Sequence, residues 1–322
     1  MSKKVSKISL IGCGAIGQDL AKSLFASDIW RNSYHNSLNL LDFNIGKLEE
    51  LCLTLNNSRF LTAGRPKVNR VNAKKFIDSI AGSDIIVVTA GKPRKANESR
   101  EALIPINGGI IHGIAKDIKQ YAPNALVVVV TNPLDQMASL MSRILGHKKV
   151  VGLSCIDEGR LRNGLEKFFG IITSQARING SHGPGMTIDF DSFLDEKGNS
   201  IVLSPEQKSE IEELTIDEGR KINKLFDHSD YIGTANSIVA TISSLLKCKS
   251  VGAFSYFENL EIGTATIPKA YLSIPVRYVG DEILADTSYT KNMKFDFNDN
   301  LYATIESIKK ANEDLFKSLG LN

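Results

Sequence analysis

The sequence predicts an α/β protein, in which a doubly wound parallel sheet is followed by a mixed α+β region. Short apolar runs alternate with helix-like segments through the first half of the chain. Two of these runs, DIIVVTA at 84–90 and ALVVVVT at 125–131, are β-branched and almost uniformly apolar. Strands that are buried on both faces have this composition, as in a parallel sheet covered by helices on each side.

Six short strands are predicted for the parallel sheet, at residues 8–11, 38–41, 68–71, 84–90, 125–131 and 149–153. Apolar residues recur at helical spacing between them, as at Leu20, Ala21, Leu24 and Phe25. Strands that alternate with helices in this way predict a doubly wound sheet. We assign residues 1–153 to this first domain.

After about residue 155 the pattern becomes mixed, and we assign residues 154–322 to a second, α+β domain. Helices are predicted at 161–169, 204–226, 238–247 and 301–319. Strands are predicted near 174–180, 186–194, 200–203, 251–256 and 273–279. No long linker separates the two halves, so we expect them to pack tightly.

Composition narrows the class of protein and its location. A net charge of +3 over 322 residues, without a basic cluster, gives no reason to expect a nucleic acid or a membrane surface as partner. The four cysteines, Cys13, Cys52, Cys155 and Cys248, lie far apart and lack zinc spacing, so we expect free thiols and no metal. No signal-peptide core and no apolar run of about 20 residues is present, so we expect a cytoplasmic protein.

A glycine-rich turn, Gly12-Cys13-Gly14-Ala15-Ile16-Gly17, follows the first strand and opens a helix. In a Rossmann-type domain such glycines permit a tight turn, close approach of a pyrophosphate and packing of helix on strand. Helix amides then face the phosphates. A dinucleotide is therefore the expected cofactor.

Asp42 ends the second strand, where a carboxylate accepts both ribose hydroxyls and repels a 2′-phosphate, which favours NAD over NADP. It lies 25 residues after Gly17, further than usual, and the polar stretch 30–37 resembles an insertion. The alternative is that Asp42 is a solvated residue at a strand end.

Three later segments carry candidate chemistry. Residues 91–100 (GKPRKANESR) follow one buried strand, and residues 131–135 (TNPLD) follow the next. The third segment, 156–162 (IDEGRLR), is followed by Ser181-His182-Gly183. Ligands of α/β proteins bind at the carboxyl edge of the sheet, where the first two segments lie. Taken singly, each has a plain explanation, since loop arginines are commonly solvated and a lone histidine is commonly structural.

In this order after a glycine turn, the segments resemble the lactate/malate dehydrogenase family. The strongest stretches are VTAGKPRKANESR, VVVVTNPLD, IDEGRLR and GSHG, and the match runs from about residue 7 to 185. The chain looks closest to the lactate-dehydrogenase-like, bacterial malate dehydrogenases. In the third segment the family pattern is closer to LDSARFR, so Asp157, Arg160 and Arg162 match while the residues between them differ.

The resemblance implies a role for each site residue. His182 is the expected general base, since imidazole titrates near neutral pH and serves both directions. Asp157 orients it and stabilises the imidazolium. Arg160 grips the substrate carboxylate in a two-point fork, Arg100 polarises the reacting carbonyl, and Asn132 hydrogen-bonds the same oxygen.

The resemblance also implies cofactor contacts from Asn107 and from Val130 to Asn132, in addition to the glycine turn and Asp42. Residues 231–234 align with a segment near the nicotinamide. Arg94 stands where a neutral residue suits lactate and an arginine pairs a second carboxylate. A dicarboxylate, malate or oxaloacetate, is therefore the expected substrate.

Some residues depart from the family pattern, and alternatives remain open. Ala96-Asn97 replaces a usual Pro-Gly, and Pro184 replaces a usual aspartate after His-Gly. Another 2-hydroxy acid such as lactate is the alternative substrate. A non-catalytic NAD-binding protein is the alternative of a different class. From the family we expect a homodimer or a homotetramer.

Overall fold

The computed structural model describes residues 4–72, 75–93, 101–146, 149–182, 185–226, 230–293 and 299–321. All six strands predicted for the first half are present. They are β1 Lys7–Ile11, β2 Ser37–Asp42, β3 Lys67–Asn72, β4 Ile85–Val88, β5 Leu126–Val129 and β6 Val150–Leu153. They are parallel and lie in the order β3-β2-β1-β4-β5-β6. The predicted doubly wound, Rossmann-type sheet is thereby confirmed.

Both faces of the parallel sheet are covered, which explains the uniformly apolar runs. The helices of this half are α1 Ala15–Ala26, α2 Glu49–Ser58, α3 Phe76–Ile80, α4 Ile104–Tyr121 and α5 Leu134–Leu145. Along β5, Val128 joins one apolar cluster, whereas Val127 and Val129 join the cluster on the opposite face. Because successive strand side chains alternate, a strand buried on both faces needs an apolar residue at every position.

The second half extends the same sheet with antiparallel strands. Its elements are α6 Cys155–Phe169, β7 Gln175–Gly180, β8 Met186–Leu194, α7 Pro205–Phe226, α8 Tyr231–Leu246, β9 Val251–Ile262, β10 Ala265–Val279, β11 Glu282–Ala285, α9 Thr287–Thr290 and α10 Asp299–Ser318. β9 pairs with β6, and the order continues β9-β10-β7-β8, with β11 beside β10. The division into domains at residue 153 stays a prediction, because the sheet crosses this point.

One predicted strand is wrong. Residues 201–204 have no regular structure, and Ser200 makes a single isolated bridge to Leu194. Val202 is 91% exposed, and although Leu203 is buried in the core, the run is not paired as a strand. The chain turns here into α7, where the Ser204 backbone N–H donates to Gln207 Oε1 over 2.9 Å and Ser204 Oγ accepts from the Gln207 backbone. These bonds cap a helix instead of extending a strand.

The polar stretch 30–37 lies at the amino edge of the sheet. Trp30 forms a bridge with Val5, just before β1, and its Nε1 donates to the Leu24 carbonyl over 2.7 Å. Asn36 is buried, and its Nδ2 donates to the carbonyls of Arg31 and Gly64 over 2.6 and 2.7 Å. Gly12 and Asp42 lie at the other end of these strands. The extra length between Gly17 and Asp42 is therefore absorbed at the edge away from the glycine turn.

Within the described ranges, no helix is long and apolar enough to cross a membrane. The same ranges contain no group of three or more His, Cys, Asp or Glu side chains that could hold a metal ion.

Candidate functional site

The glycine turn joins β1 to α1. At two of its positions, neighbouring backbone atoms leave no room for a side chain. Gly12 has φ +92°, and an added Cβ would lie 2.5 Å from the backbone nitrogen of Ala90. At Gly17 an added Cβ would lie 2.3 Å from the Gly12 carbonyl oxygen. Thr89 Oγ1 donates to that same carbonyl over 2.5 Å, which ties the turn to the end of β4. The turn is thus fixed against the neighbouring strand.

At Gly14, by contrast, the protein itself leaves room for a side chain. Its φ of −65° is open to any residue, and an added Cβ would meet nothing within 4 Å. It is the N-cap of α1, so no side chain caps the helix amides, and the first turn, with Ala15 and Ile16, holds no acidic residue. A helix N-terminus kept clear in this way suits a phosphate group. The residues present therefore fit the pyrophosphate of a dinucleotide.

Asp42 is held beside this turn. Its Oδ2 accepts from the Cys13 backbone N–H over 2.8 Å, and its Oδ1 accepts from that of Asn44 over 2.9 Å. The carboxylate stays partly exposed at the carboxyl end of β2. It is therefore oriented by the turn itself, where a ribose attached to the pyrophosphate would lie.

Asn107 on α4 ties the loops after β4 and β5 together. Its Oδ1 accepts from the Lys92 backbone over 2.7 Å, and its Nδ2 donates to the Asn132 carbonyl over 2.6 Å. The side chain is 1% exposed. Asn107, expected to contact the cofactor, thus uses its amide to position these loops. Val130 is buried, and the Asn132 side chain beyond it is exposed at the sheet edge.

His182 and Asp157 form a close pair between the end of β7 and the first turn of α6. His182 Nδ1 lies 2.6 Å from Asp157 Oδ2. Because an ionised carboxylate only accepts hydrogen bonds, Nδ1 carries the proton and Nε2 is the nitrogen that can exchange one with a ligand. Asp157 Oδ1 also accepts from Arg160 Nη1 over 3.3 Å. One carboxylate therefore orients both a titratable imidazole and a guanidinium.

The surroundings of His182 set its pKa in opposing directions. Loss of water around the ring lowers the pKa of His182, but the charge and hydrogen bond of Asp157 and the charge of Asp135 raise it. Arg160 opposes them, and the result is a pKa above the ordinary value. These surroundings therefore stabilise the imidazolium more than water does.

Arg160 keeps guanidinium donors for an anion. Its side chain is 21% exposed, and its Nε is buried without a hydrogen-bond partner among the described residues. The exposed part of the guanidinium can therefore pair with the carboxylate of a ligand.

Asp135 is a site residue to which the sequence assigned no role. It lies in the first turn of α5, three residues after Asn132, and its Oδ1 accepts from the His182 backbone N–H over 3.2 Å. The sequence feature that could have indicated a role for Asp135 is its position at the start of a helix, directly after the Asn132-Pro133 segment. His182, Asn132 and Asp135 all line one cavity of about 750 Å³, which is closed on another side by Thr304, Ser307 and Ala311 of α10.

Several expected site residues lie outside the described residues. These are Arg94 and Arg100, together with the departures Ala96-Asn97 and Pro184. Glu158, which replaces the serine of the family pattern, lies within the described residues. Its carboxylate pairs with Arg177 Nη1 on β7 at 3.1 Å, while its neighbour Asp157 contacts His182. Residues 231–234 form the first turn of α8, which Asp230 caps by accepting from the Gly233 backbone over 2.7 Å.

A helix N-terminus prepared for a pyrophosphate and an imidazole–carboxylate pair lie at the same edge of one doubly wound sheet. This combination defines the class of NAD-dependent dehydrogenases, in which the cofactor accepts hydride and the protein moves the proton. Residues 6–152 match the family model of the lactate/malate dehydrogenase NAD-binding domain. A malate dehydrogenase of Caldivirga maquilingensis is 31% identical over 246 residues, which cover 74% of this chain and 77% of the relative.

The chain belongs to the lactate/malate dehydrogenase family, and the predicted class of NAD-dependent oxidoreductase is confirmed. The solved malate dehydrogenase of Cryptosporidium parvum superposes with a TM-score of 0.82 at 26% identity, covering 98% of this chain and 100% of that one. The lactate dehydrogenase of the same organism, solved with lactic acid and nicotinamide adenine dinucleotide, gives a TM-score of 0.79 at 24% identity and 98% coverage of both chains.

Proposed function

We propose that this chain is an NAD-dependent malate dehydrogenase, which interconverts (S)-malate and NAD with oxaloacetate and NADH. The observation that carries the proposal is the contact of Asp157 with both His182 and Arg160, at 2.6 and 3.3 Å. The buried Asp157 carboxylate thereby orients both the acid–base residue and the arginine that would bind the substrate carboxylate. The malate dehydrogenases among its relatives favour malate as the substrate.

In malate oxidation a nicotinamide held at this site would supply the hydride acceptor, and the protein handles the proton. The hydride leaves C2 of malate with its electron pair, and His182 Nε2 takes the proton of the C2 hydroxyl, so that a carbonyl forms. Asp157, hydrogen-bonded to Nδ1, stabilises the imidazolium that results. In reduction the same imidazolium returns the proton to the developing alkoxide, and charge balances in both directions.

Substrate binding falls to the arginines and to Asn132. Arg160 pairs with the carboxylate next to the reacting carbon, because its guanidinium has donors beyond the one used by Asp157. The family resemblance assigns the reacting oxygen to Asn132 and Arg100. It assigns the second carboxylate of the substrate to Arg94, and a guanidinium left unpaired in the closed complex would penalise a monocarboxylate.

Asp42 selects the cofactor. Its carboxylate, fixed on the Cys13 amide, hydrogen-bonds the ribose hydroxyls and repels a 2′-phosphate. Gly12, Gly14, Ala15, Ile16 and Gly17 would hold the pyrophosphate, and Val130 and Asn132 would line the nicotinamide end of the pocket. Asn107 supports this pocket by holding the Lys92 and Asn132 backbones.

A panel of oxo acids tests the proposal. Purified protein is assayed for NADH oxidation with oxaloacetate, pyruvate and 2-oxo-isocaproate, and the panel is repeated with NADPH. We expect kcat/KM for oxaloacetate with NADH to exceed every other combination by at least about a hundredfold. Preference for pyruvate would overturn the Arg94 argument and favour the second candidate, a lactate dehydrogenase, whose fold the chain also shares.

The variant His182→Asn separates an enzyme from a binding protein. We expect kcat to fall by orders of magnitude while the affinity for NADH, measured by calorimetry, stays within about threefold. A wild-type protein that binds NADH but turns over none of the oxo acids would be a non-catalytic NAD-binding protein.

We further propose that the protein works in the cytoplasm as a homodimer or homotetramer. All four of its cysteines are free thiols, which suits a reducing compartment. Sedimentation velocity distinguishes the two assemblies, and a monomer at assay concentration would contradict both.

A further inference from the structure

Asp135 joins the segment that carries Asn132 to the segment that carries His182. It is 8% exposed and lies in the first turn of α5, directly after the Asn132-Pro133 segment. The described contacts of its Oδ1 include the His182 backbone N–H, at 3.2 Å. Asp157 reaches the same histidine from α6, at the ring nitrogen Nδ1. Two carboxylates from two helices therefore hold one residue, one by its side chain and the other by its main chain.

We propose that Asp135 is a positioning residue for His182, which fixes its main chain and places a second negative charge beside the imidazole. This inference rests on the proposed function, since it concerns the same proton transfer. A hydrogen bond to the backbone restrains where the imidazole can stand relative to the oxygen of the substrate. The added charge favours the imidazolium, which is the acid in oxaloacetate reduction.

The charged groups around His182 have opposite effects. Asp135 on α5 and Asp157 on α6 raise its pKa, and Arg160 on α6 lowers it. Glu212 of α7 lines the same cavity further away. Because Asp157 holds Nδ1, removal of the Asp135 charge leaves the ring tautomer intact and lowers the proton affinity of the imidazole.

A purely structural role is the competing explanation for Asp135. An acidic residue in the first turn of a helix interacts favourably with the helix dipole, and it stabilises the protein whether or not His182 is nearby. Loss of that interaction lowers thermal stability without changing the imidazole pKa. The pKa of His182 is therefore the quantity that separates the two roles.

Two substitutions separate charge from anchoring. Asp135→Asn keeps an oxygen that can accept from the His182 amide but removes the charge, whereas Asp135→Ala removes both. The matched control is Asp78→Asn, the same loss of charge at an exposed position on α3. The pKa of His182 is measured by NMR in the ligand-free proteins, and its signal among the five histidines is assigned with His182→Asn.

We expect Asp135→Asn to lower the pKa of His182 by about half a unit or more and to keep kcat/KM for oxaloacetate within about threefold at acidic pH. We expect Asp135→Ala to lose about tenfold or more in kcat/KM at every pH. Asp78→Asn should match wild type in both. An unchanged His182 pKa in folded Asp135→Asn overturns the proposal, as does Asp135→Ala with wild-type kcat/KM.

A measurement on the unmodified chain covers the case in which the variants do not fold. Amide hydrogen exchange at His182 should be at least about tenfold slower than in an unstructured peptide, because its N–H is donated to a carboxylate. Exchange at the rate of an unstructured peptide would show that the His182 amide is not hydrogen-bonded to Asp135 and would overturn the proposal. The imidazole pKa and the exchange rate need no turnover, so a wrong substrate assignment would appear in the oxo-acid panel while leaving both readouts interpretable.

Discussion

At the scale of single residues, Asp157 does two things at once. It orients the His182 ring through Nδ1, and it holds the Arg160 guanidinium through its other oxygen. It is itself well buried, so its negative charge acts in a poorly screened environment. Neutralising Asp157 therefore disturbs the acid–base group and the carboxylate clamp together.

For Asp157→Asn we expect a large loss of activity and a shifted pH profile. Burial lowers the pKa of His182, and Asp157 is the leading group that raises it, so the variant should have a lower His182 pKa than wild type. Oxaloacetate reduction needs the protonated ring, so its kcat/KM falls as pH rises through this pKa, and in Asp157→Asn the fall should begin at lower pH. We expect kcat to drop roughly a hundredfold or more.

The measurement is kcat/KM for oxaloacetate between pH 5 and 9, for wild type and Asp157→Asn. Far-UV circular dichroism checks that the variant is folded across this range. A profile that falls at the same pH in both proteins would show that Asp157 does not set the proton affinity of His182.

At the scale of elements, the β1–α1 unit separates folding from cofactor binding within one short motif. Gly17→Ala would place a methyl group 2.3 Å from the Gly12 carbonyl oxygen, which is backbone and cannot move aside cheaply. Gly14→Ala would place the same methyl group where no protein atom lies within 4 Å. The two glycines therefore serve different purposes, although the sequence shows them as one pattern.

We expect Gly17→Ala to lower the free energy of unfolding by about 2 kcal/mol or more. Gly14→Ala should change it by less than about 1 kcal/mol but weaken NADH binding by about tenfold or more, because its methyl group lies where the pyrophosphate approaches. Urea unfolding and calorimetric titration with NADH measure the two effects. Wild-type affinity in Gly14→Ala would mean that the pyrophosphate does not approach the backbone at this residue.

Elements were predictable where one local cause determined them. The runs at 84–90 and 125–131 had to be strands because they are buried on both faces. Residues 200–203 were equally apolar, but Val202 is exposed and the helix-capping bonds of Ser204 determine the local structure. The length of β9 and β10 depends on each pairing with the other, which is a long-range contact that local sequence does not encode.

The same reasoning divides the candidate site. Gly12, Gly17, Asp42 and Asn132 follow predicted strands, so their place at the carboxyl edge could be anticipated. Two contacts could not be anticipated. The hydrogen bond that Asp135 accepts from the His182 backbone N–H spans 47 residues, and the one that Asn107 donates to the Asn132 carbonyl spans 25. The first depends on how α5 packs against the end of β7, and the second on how α4 packs against the loop after β5; composition gives no indication of either.

At the scale of the whole molecule, the two predicted halves share one apolar core. Leu20 and Leu24 of α1 belong to the same cluster as Ile238 and Ile242 of α8. Ser23 Oγ also donates to Asn236 Oδ1 over 3.1 Å across this contact. Because one apolar core contains residues from both halves, we expect the two halves to unfold together.

We therefore expect one cooperative transition in urea. Trp30 is the only tryptophan, it is buried, and it belongs to the first half, so its fluorescence reports on residues 1–153. Far-UV circular dichroism reports on helices of both halves. The two transitions should coincide within error. A fluorescence midpoint displaced by about 0.5 M urea or more would mean that the halves unfold separately.

The polar stretch at the amino edge gives the molecule a convenient point of attachment. Tyr34 is exposed there, one strand length of roughly 17–20 Å from the glycine turn at the opposite edge. A thiol introduced as Tyr34→Cys, after the exposed Cys248 is replaced by serine, would tether the protein to a solid support by this edge alone. Every immobilised molecule would then present the glycine turn and the carboxyl edge of its sheet to the bathing solution, so oriented films or electrodes could be made without blocking access to that edge.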